Sequence, residues 1–314
     1  MATYAELREQ DFKRQIEFNN IKKYHEQGYK GQGITILNAE GSGDHQGMTS
    51  QVTKDYAPER ILLEGNISTK VTNGKIEYCR VNLPNGAIEL EEAIDKYNIK
   101  IITRSYSGTT PKVLLDYYKE LQEYKGVIFV NPSANNPEAD GVWSKYDTAI
   151  TVSACKLKEN GQIDVTHFGS KGEVDFTCFM AKGQGSSAAS PALASKIALL
   201  INKYGDINQK EAVEILKSIA YKLPNVEDYK QGWGLPILPL TDKLEILERL
   251  RGENMADFKD VEQDRWSKNF IKICVDEGLL QGYPDGTFKP GASVTREELA
   301  VVLVRLLDKI EGRI

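Results

Sequence analysis

Between Gly33 and about Leu200 short apolar runs alternate with amphipathic stretches, and this alternation narrows the fold more than any other feature of the chain. The runs ITIL (34–37), RILLEG (60–65), IKIITRSYSG (99–108), GVIFVN (126–131) and AITVSAC (149–155) are brief, rich in Ile and Val, and bounded by turn residues. That pattern predicts buried strands. Between them, GAIELEEAIDKYN (86–98) and TPKVLLDYYKELQEYK (110–125) carry apolar residues at helical spacing. Strand and helix in succession predict an α/β fold, a parallel sheet flanked by crossover helices. Ligands of such folds sit beyond the carboxyl ends of the strands.

The 314 residues suffice for one large domain and a small one. Composition changes after QGWGLPILPL (231–240), so the expected division is a domain at 1–245, a helical linker at 246–255 and a mainly α-helical module at 256–314. In the module Thr295 and Glu298 form a capping-box pattern ahead of the last helix. Lys and Arg are scattered among acids and the net charge is -5, which argues against nucleic acid as partner. No run of about 18 apolar residues occurs, so no membrane-spanning helix is expected. The polar, helix-prone start, MATYAELREQ onward, lacks the apolar segment of a secretory signal, and the expected location as synthesised is cytoplasmic. Cys79, Cys155, Cys178 and Cys274 are far apart and are expected to be free thiols.

The segment carrying most chemistry is GQGSSAASPALASKIALLI (183–201), a serine in a small-residue turn followed at once by an apolar helix. The unsatisfied N–H groups of a helix start favour negative charge developing nearby. Taken alone, the pattern fits an ordinary helix cap equally well. However, Gly185-Ser186-Ser187-Ala188-Ala189-Ser190-Pro191 resembles the nucleophile motif of subtilisin-like serine proteases, with Ser186 in place of the usual Thr. DVTHFGSKGEVDF (164–176) and QGWGLP (231–236) resemble the stretches flanking that motif in the same family.

The resemblance implies a subtilisin-like parallel sheet and a serine endopeptidase acting through an acyl-enzyme, with Ser187, not Ser186 or Ser190, as nucleophile. GSGDHQGMTSQV resembles the family's histidine helix and makes His45 the base, although Gln46 interrupts the usual His-Gly pair. His167 matches a position that is ordinarily Asn or Ser, and His25, ahead of the first strand, is expected to be solvated. The family has an Asp at the end of its first strand. Counting without a gap puts Glu40 there, a shift of two puts Asn38 there, and Asp44 is a third candidate; Glu40 is favoured. Only four residues separate Glu40 from His45, a departure from the longer insertion usual in the family. Five peptide steps span at most about 16–18 Å, so the pair can still meet. VIFVNPSANNP resembles the strand that ends at the oxyanion-binding Asn, which implies Asn135, or Asn136 beside it. RSYSG resembles the edge that pairs with the substrate backbone, implying Ser105, Tyr106, Ser107 and Gly108 as the peptide-binding edge.

FKDV (258–261), Trp266, GLLQGYPDGTFKP (278–290) and VTREELA (294–300) resemble an S-layer homology (SLH) module. That likeness implies binding of bacterial cell-wall polysaccharide, and so cell-surface association, through Trp266, the Asp285-Gly286 turn and Arg296. A helical appendage for oligomerisation is the competing expectation. No redox cofactor is implied. Calcium is common in the protease family, but no dense carboxylate loop marks a site here, so no metal is assigned. The expected partners are a peptide or protein substrate and wall polysaccharide. The alternative to an active enzyme is a binding or scaffolding protein that keeps the fold. With only some thirty residues ahead of Gly33, folding without a large pro-segment is expected, with the N-terminal stretch lying over the cleft.

Overall fold

The computed structural model describes all residues except 1–3, 41–42, 105–109, 134–147, 168–173, 181–184, 242–243, 245, 247–257, 263–264, 266, 268–270, 272–273, 276–278, 284 and 311–314. It separates into two compact units, Met1–Leu244 and Glu245–Ile314.

The larger unit opens with helices α1 (Tyr4–Phe18) and α2 (Ile21–Glu26), then strand β1 (Thr35–Ala39) and helix α3 (Asp44–Tyr56). Next come β2 (Ile61–Thr72), β3 (Lys75–Leu83), β4 (Gly86–Glu89), α4 (Leu90–Tyr97), β5 (Ile99–Thr103), α5 (Lys112–Lys125), β6 (Ile128–Pro132) and β7 (Ile150–Leu157). They are followed by β8 (Ile163–His167), β9 (Phe176–Phe179), α6 (Gly185–Tyr204), α7 (Gln209–Ser218), β10 (Ala220–Tyr221), α8 (Asp228–Gln231) and β11 (Leu235–Pro236).

Among the described residues the main sheet runs β4-β3-β2-β1-β5-β6-β7-β8, with β9 also paired to β7. β2, β1, β5, β6, β7 and β9 are mutually parallel, whereas β3, β4 and β8 add antiparallel edges. The parallel strands β1, β6 and β9 are buried at every residue, the pattern of strands covered on both faces. Leu37, Ala39, Ile102 and Phe129 face Leu90, Ile94, Leu115 and Tyr118 of α4 and α5 in one core cluster. On the opposite face α6 packs across β5, β6, β7 and β9, with α3 beside it. β1 sends the chain to β2 on one side, and the chain returns to β5 on the other. This reversal is where doubly wound sheets open a crevice.

One expectation needs correction. Residues 86–89 are not the start of a helix but strand β4, paired to β3, and α4 begins only at Leu90. The turn residues Asn73 and Gly74, both at positive φ, close the β2–β3 hairpin, so this pairing takes the segment before the helical periodicity begins. The N-terminal stretch is held at more than one place: in α1, Arg14 donates to the Lys158 carbonyl just beyond β7 at 3.3 Å and the Phe18 ring meets Phe179 at the end of β9, whereas α2 is fastened elsewhere. The Nζ of Lys196 lies 2.6 Å from Asn19 Oδ1 and 2.7 Å from the Pro236 carbonyl oxygen. Asn20 donates to the Leu238 carbonyl, and the Tyr24 hydroxyl to that of Pro239, both at 2.8 Å. Tyr24 also meets Tyr204, the last residue of α6. Helix α2 is therefore fastened at the end of α6 remote from Ser187. Lys196 is wholly buried, and burial pushes its ammonium pKa down.

QGWGLP closes this unit for a steric reason. Gly232 is at positive φ, and a Cβ there would collide with the Asp175 carbonyl, while the Trp233 amide donates to that carbonyl at 2.7 Å. The four cysteines are unpaired.

In the smaller unit the Tyr283 amide donates to the Thr287 carbonyl at 2.8 Å across a turn in which Gly286 has φ 79°. Helix α9 (Arg296–Ile310) opens with the expected capping box: Glu298 N donates to Thr295 Oγ1 at 3.1 Å, and Thr295 N to Glu298 Oε2 at 2.7 Å. Among the described residues no helix is long and apolar enough to cross a membrane.

Candidate active site

Helix α6 begins with Gly185 at φ 64°, a left-handed turn that suits glycine. From Gly185 to Ile201 every residue of this helix is buried except Ser187. The small side chains of the first turns allow that depth. Ser190 is wholly buried, with its Oγ 2.9 Å from Thr103 Oγ1 and 3.1 Å from the carbonyl oxygens of Arg104 and Val130. These bonds seat the start of α6 on the carboxyl ends of β5 and β6. Ser186 is also buried. Of the three serines in the motif, Ser187 alone reaches solvent.

His45 is the second residue of α3, which begins five residues after the end of β1 and packs beside α6. Its Nδ1 is 3.3 Å from Oε2 of Glu40, which lies one residue beyond β1. The carboxylate is 5% exposed and the imidazole 46%, so a nearly dry acceptor faces a ring open to solvent.

The other two candidates for the acid lie differently. Asn38 gives its amide hydrogens to Thr49 Oγ1 and Ser50 Oγ, both at 2.9 Å. Asp44 is exposed at the first position of α3. Asn135, Asn136 and the edge Ser105, Tyr106, Ser107 and Gly108 lie outside the described residues, as does Trp266. His25 is not simply solvated. It is half-buried, with Nε2 2.8 Å from the Tyr56 carbonyl oxygen at the far end of α3. Among the described residues no three His, Cys, Asp or Glu side chains cluster as metal ligands.

Sequence reasoning missed Asn38, Thr49 and Ser190 as residues that seat the site. Ser190 carried a signal: a hydroxyl in the interior of an otherwise apolar helix needs a partner.

In the smaller unit Asp285 accepts from Thr287 through both the hydroxyl, at 2.6 Å, and the amide, at 3.0 Å. Asp260 accepts from the amides of Phe288 and Lys289 at 2.8 and 2.7 Å, binding the segment after FK to the turn.

Comparison with known proteins follows the same division. Residues 257–300 match the family described as S-layer homology domain. Cell surface glycoprotein 1 of Acetivibrio thermocellus is 36% identical over 66 residues, 21% of this chain and 3% of that protein. The Cellulosome-anchoring protein of the same organism is 41% identical over 64 residues, 20% of this chain and 14% of that one. The chain thus spans only a small part of the curated relatives it matches. The fold resembles fervidolysin from Fervidobacterium pennivorans, a keratinolytic enzyme related to subtilisin, with TM-score 0.51 and 16% identity. That likeness covers 72% of this chain and 44% of fervidolysin. It also resembles a lanthipeptide protease, with TM-score 0.52 and 14% identity over 76% of this chain and 94% of that one. The chain therefore joins the fold of subtilisin-like proteases to an S-layer homology domain at residues 257–300.

Proposed function

We propose that the larger unit is a serine endopeptidase that hydrolyses peptide bonds through an acyl-enzyme on Ser187. The observation that carries this reading is that, from Gly185 to Ile201 of α6, Ser187 alone is not buried, and it stands beside the helix whose His45 faces Glu40. Ser187 Oγ attacks the scissile carbonyl carbon while His45 Nε2 takes its proton. Glu40 accepts from Nδ1–H, which holds the tautomer and stabilises the imidazolium. The tetrahedral intermediate collapses as His45 returns the proton to the leaving amine. Water then repeats the sequence on the ester and frees Ser187. The oxyanion is held by the Ser187 N–H at the start of α6 and by the Asn135 side chain. The edge at Ser105–Gly108 pairs with the extended substrate.

The test is labelling of the full chain by a fluorophosphonate. Wild type is expected to label, and Ser187→Ala to lose the label completely. Folded wild type that stays unlabelled would favour a scaffolding protein that keeps only the fold.

The smaller unit, on this reading, tethers the enzyme to the bacterial cell surface by binding wall polysaccharide. Support comes from the domain match and from the ordered Asp285-Gly286 turn. Arg296, at the start of α9, supplies a cation for an anionic sugar substituent. Co-sedimentation of the full chain with isolated cell walls measures it, and failure to sediment would leave the oligomerisation role.

A further inference from the structure

Asn38 is wholly buried on β1, two residues before Glu40. Its amide nitrogen can only donate, so the hydroxyls of Thr49 and Ser50, each 2.9 Å away, receive its two hydrogens. Thr49 keeps its own hydroxyl hydrogen to give. Its Oγ1 lies 3.0 Å from the carbonyl oxygen of Gln46 and 3.3 Å from that of His45, in the first turn of α3. A polar chain thus runs from the strand that leads to Glu40 to the backbone of the residue that faces Glu40.

The start of α3 needs such a tie. Its N-cap is Gly43, at φ 104°, with no side-chain cap bond. The imidazole itself is nearly half exposed, so packing does little to hold it.

We infer that Asn38 is a positioning residue, holding His45 against Glu40 through Thr49; the inference rests on the Ser187, His45 and Glu40 reading above. Asn is the residue type that makes the chain run this way. An acid at position 38 would accept from Thr49, reverse the hydroxyl and release the carbonyls of the first turn. Thr49→Val keeps the shape of the side chain and removes the hydroxyl, whereas Thr49→Ser keeps the hydroxyl.

The experiment compares these two variants and Asn38→Asp, as full chains checked for folding by circular dichroism, with fluorophosphonate as the probe. Thr49→Val and Asn38→Asp are expected to lower the maximal labelling rate by about ten- to a hundredfold, the scale of a small misplacement of a catalytic group. The half-saturating probe concentration should stay within about twofold, and Thr49→Ser should behave as wild type, since orientation rather than binding is affected. The low-field proton resonance of His45 Nδ1 is the second readout. It should be present in wild type and Thr49→Ser and lost in Thr49→Val. Asn38→Asp, which keeps side-chain size, serves if Thr49→Val does not fold. Wild-type labelling rate and an intact ring resonance in both altered variants would overturn the inference. If wild type itself does not label, the hydrolase reading fails, and the ring resonance still decides whether Thr49 holds His45.

Discussion

In the larger unit the polar groups that organise the structure are buried and meet neutral partners, whereas in the smaller unit they are exposed or half-buried carboxylates that accept from backbone amides and a hydroxyl. Asn38, Ser190 and Lys196 typify the first kind, all wholly buried and bonded to hydroxyls, amides or carbonyls. Asp260, Asp285 and Glu298 typify the second, each with its pKa lowered by the hydrogen bonds it accepts. The bonds of Asn38 and Ser190 join neutral groups and do not titrate, so these ties should respond to geometry rather than to pH. The surface carboxylates titrate, so the turn of the smaller unit should respond to acid.

The largest expected effect breaks the rule from within the larger unit, at its one catalytic carboxylate. Glu40→Gln keeps the size of the side chain but cannot stabilise the imidazolium. Its maximal labelling rate should fall by about three to four orders of magnitude, by analogy with the handicap of an amide in a serine-protease triad. Glu40→Asp keeps the charge and should fall less. A Gln variant with wild-type rate would show that Glu40 is not the acid.

A middle-sized effect concerns stability. Asn19→Leu leaves the buried Lys196 ammonium one acceptor short, which should cost about 1.5–3 kcal/mol in urea unfolding, the scale of a hydrogen bond to a charged group. Lys196→Met in the same chain removes the charge as well as its need for a partner, and should recover much of that loss. If Asn19→Leu costs the same with Met at 196, the loss comes from the Asn19 bond to the Gln15 carbonyl instead.

The smallest effect is the pH response of the smaller unit. The folded pKa of Asp260 is depressed, chiefly by the Phe288 amide, from an ordinary value of 3.8. Its contribution is therefore complete above the ordinary value and is lost as pH falls through the folded one. The amide resonances of Phe288 and Lys289 should titrate with a midpoint below 3.8, and Asp260→Asn should abolish that titration. A midpoint at or above the ordinary value would dissolve the contrast between the units.

Much of the parallel sheet was legible. The runs ITIL, IKIIT, VIFV and ITVSAC lie in or overlap β1, β5, β6 and β7, because strands buried on both faces must be apolar almost throughout. The hairpin at 61–89 was less legible. RILLEG reads as a buried strand and overlaps β2, but β2 is mixed in burial, with Ile61 half exposed, and β3 and β4 beyond the Asn73-Gly74 turn do not read as strands. At the site, counting without a gap to the end of the first strand picked out Glu40 ahead of Asn38 and Asp44. It could not show that Asn38 spends its amide on α3, since that depends on a helix eleven or twelve residues away folding back over the strand.

Local pattern by itself determined where the inner parallel strands would form, which segment would carry the serine, and that the small turn at Asp285-Gly286 would close. These are consequences of periodicity, steric freedom and side-chain size over a few residues. Only the tertiary structure decided which of three neighbouring serines reaches water and which of three polar side chains faces the histidine. Exposure and pairing are sums over everything that packs around a group, and α3, α6 and the ends of β5 and β6 come together only when the sheet is built.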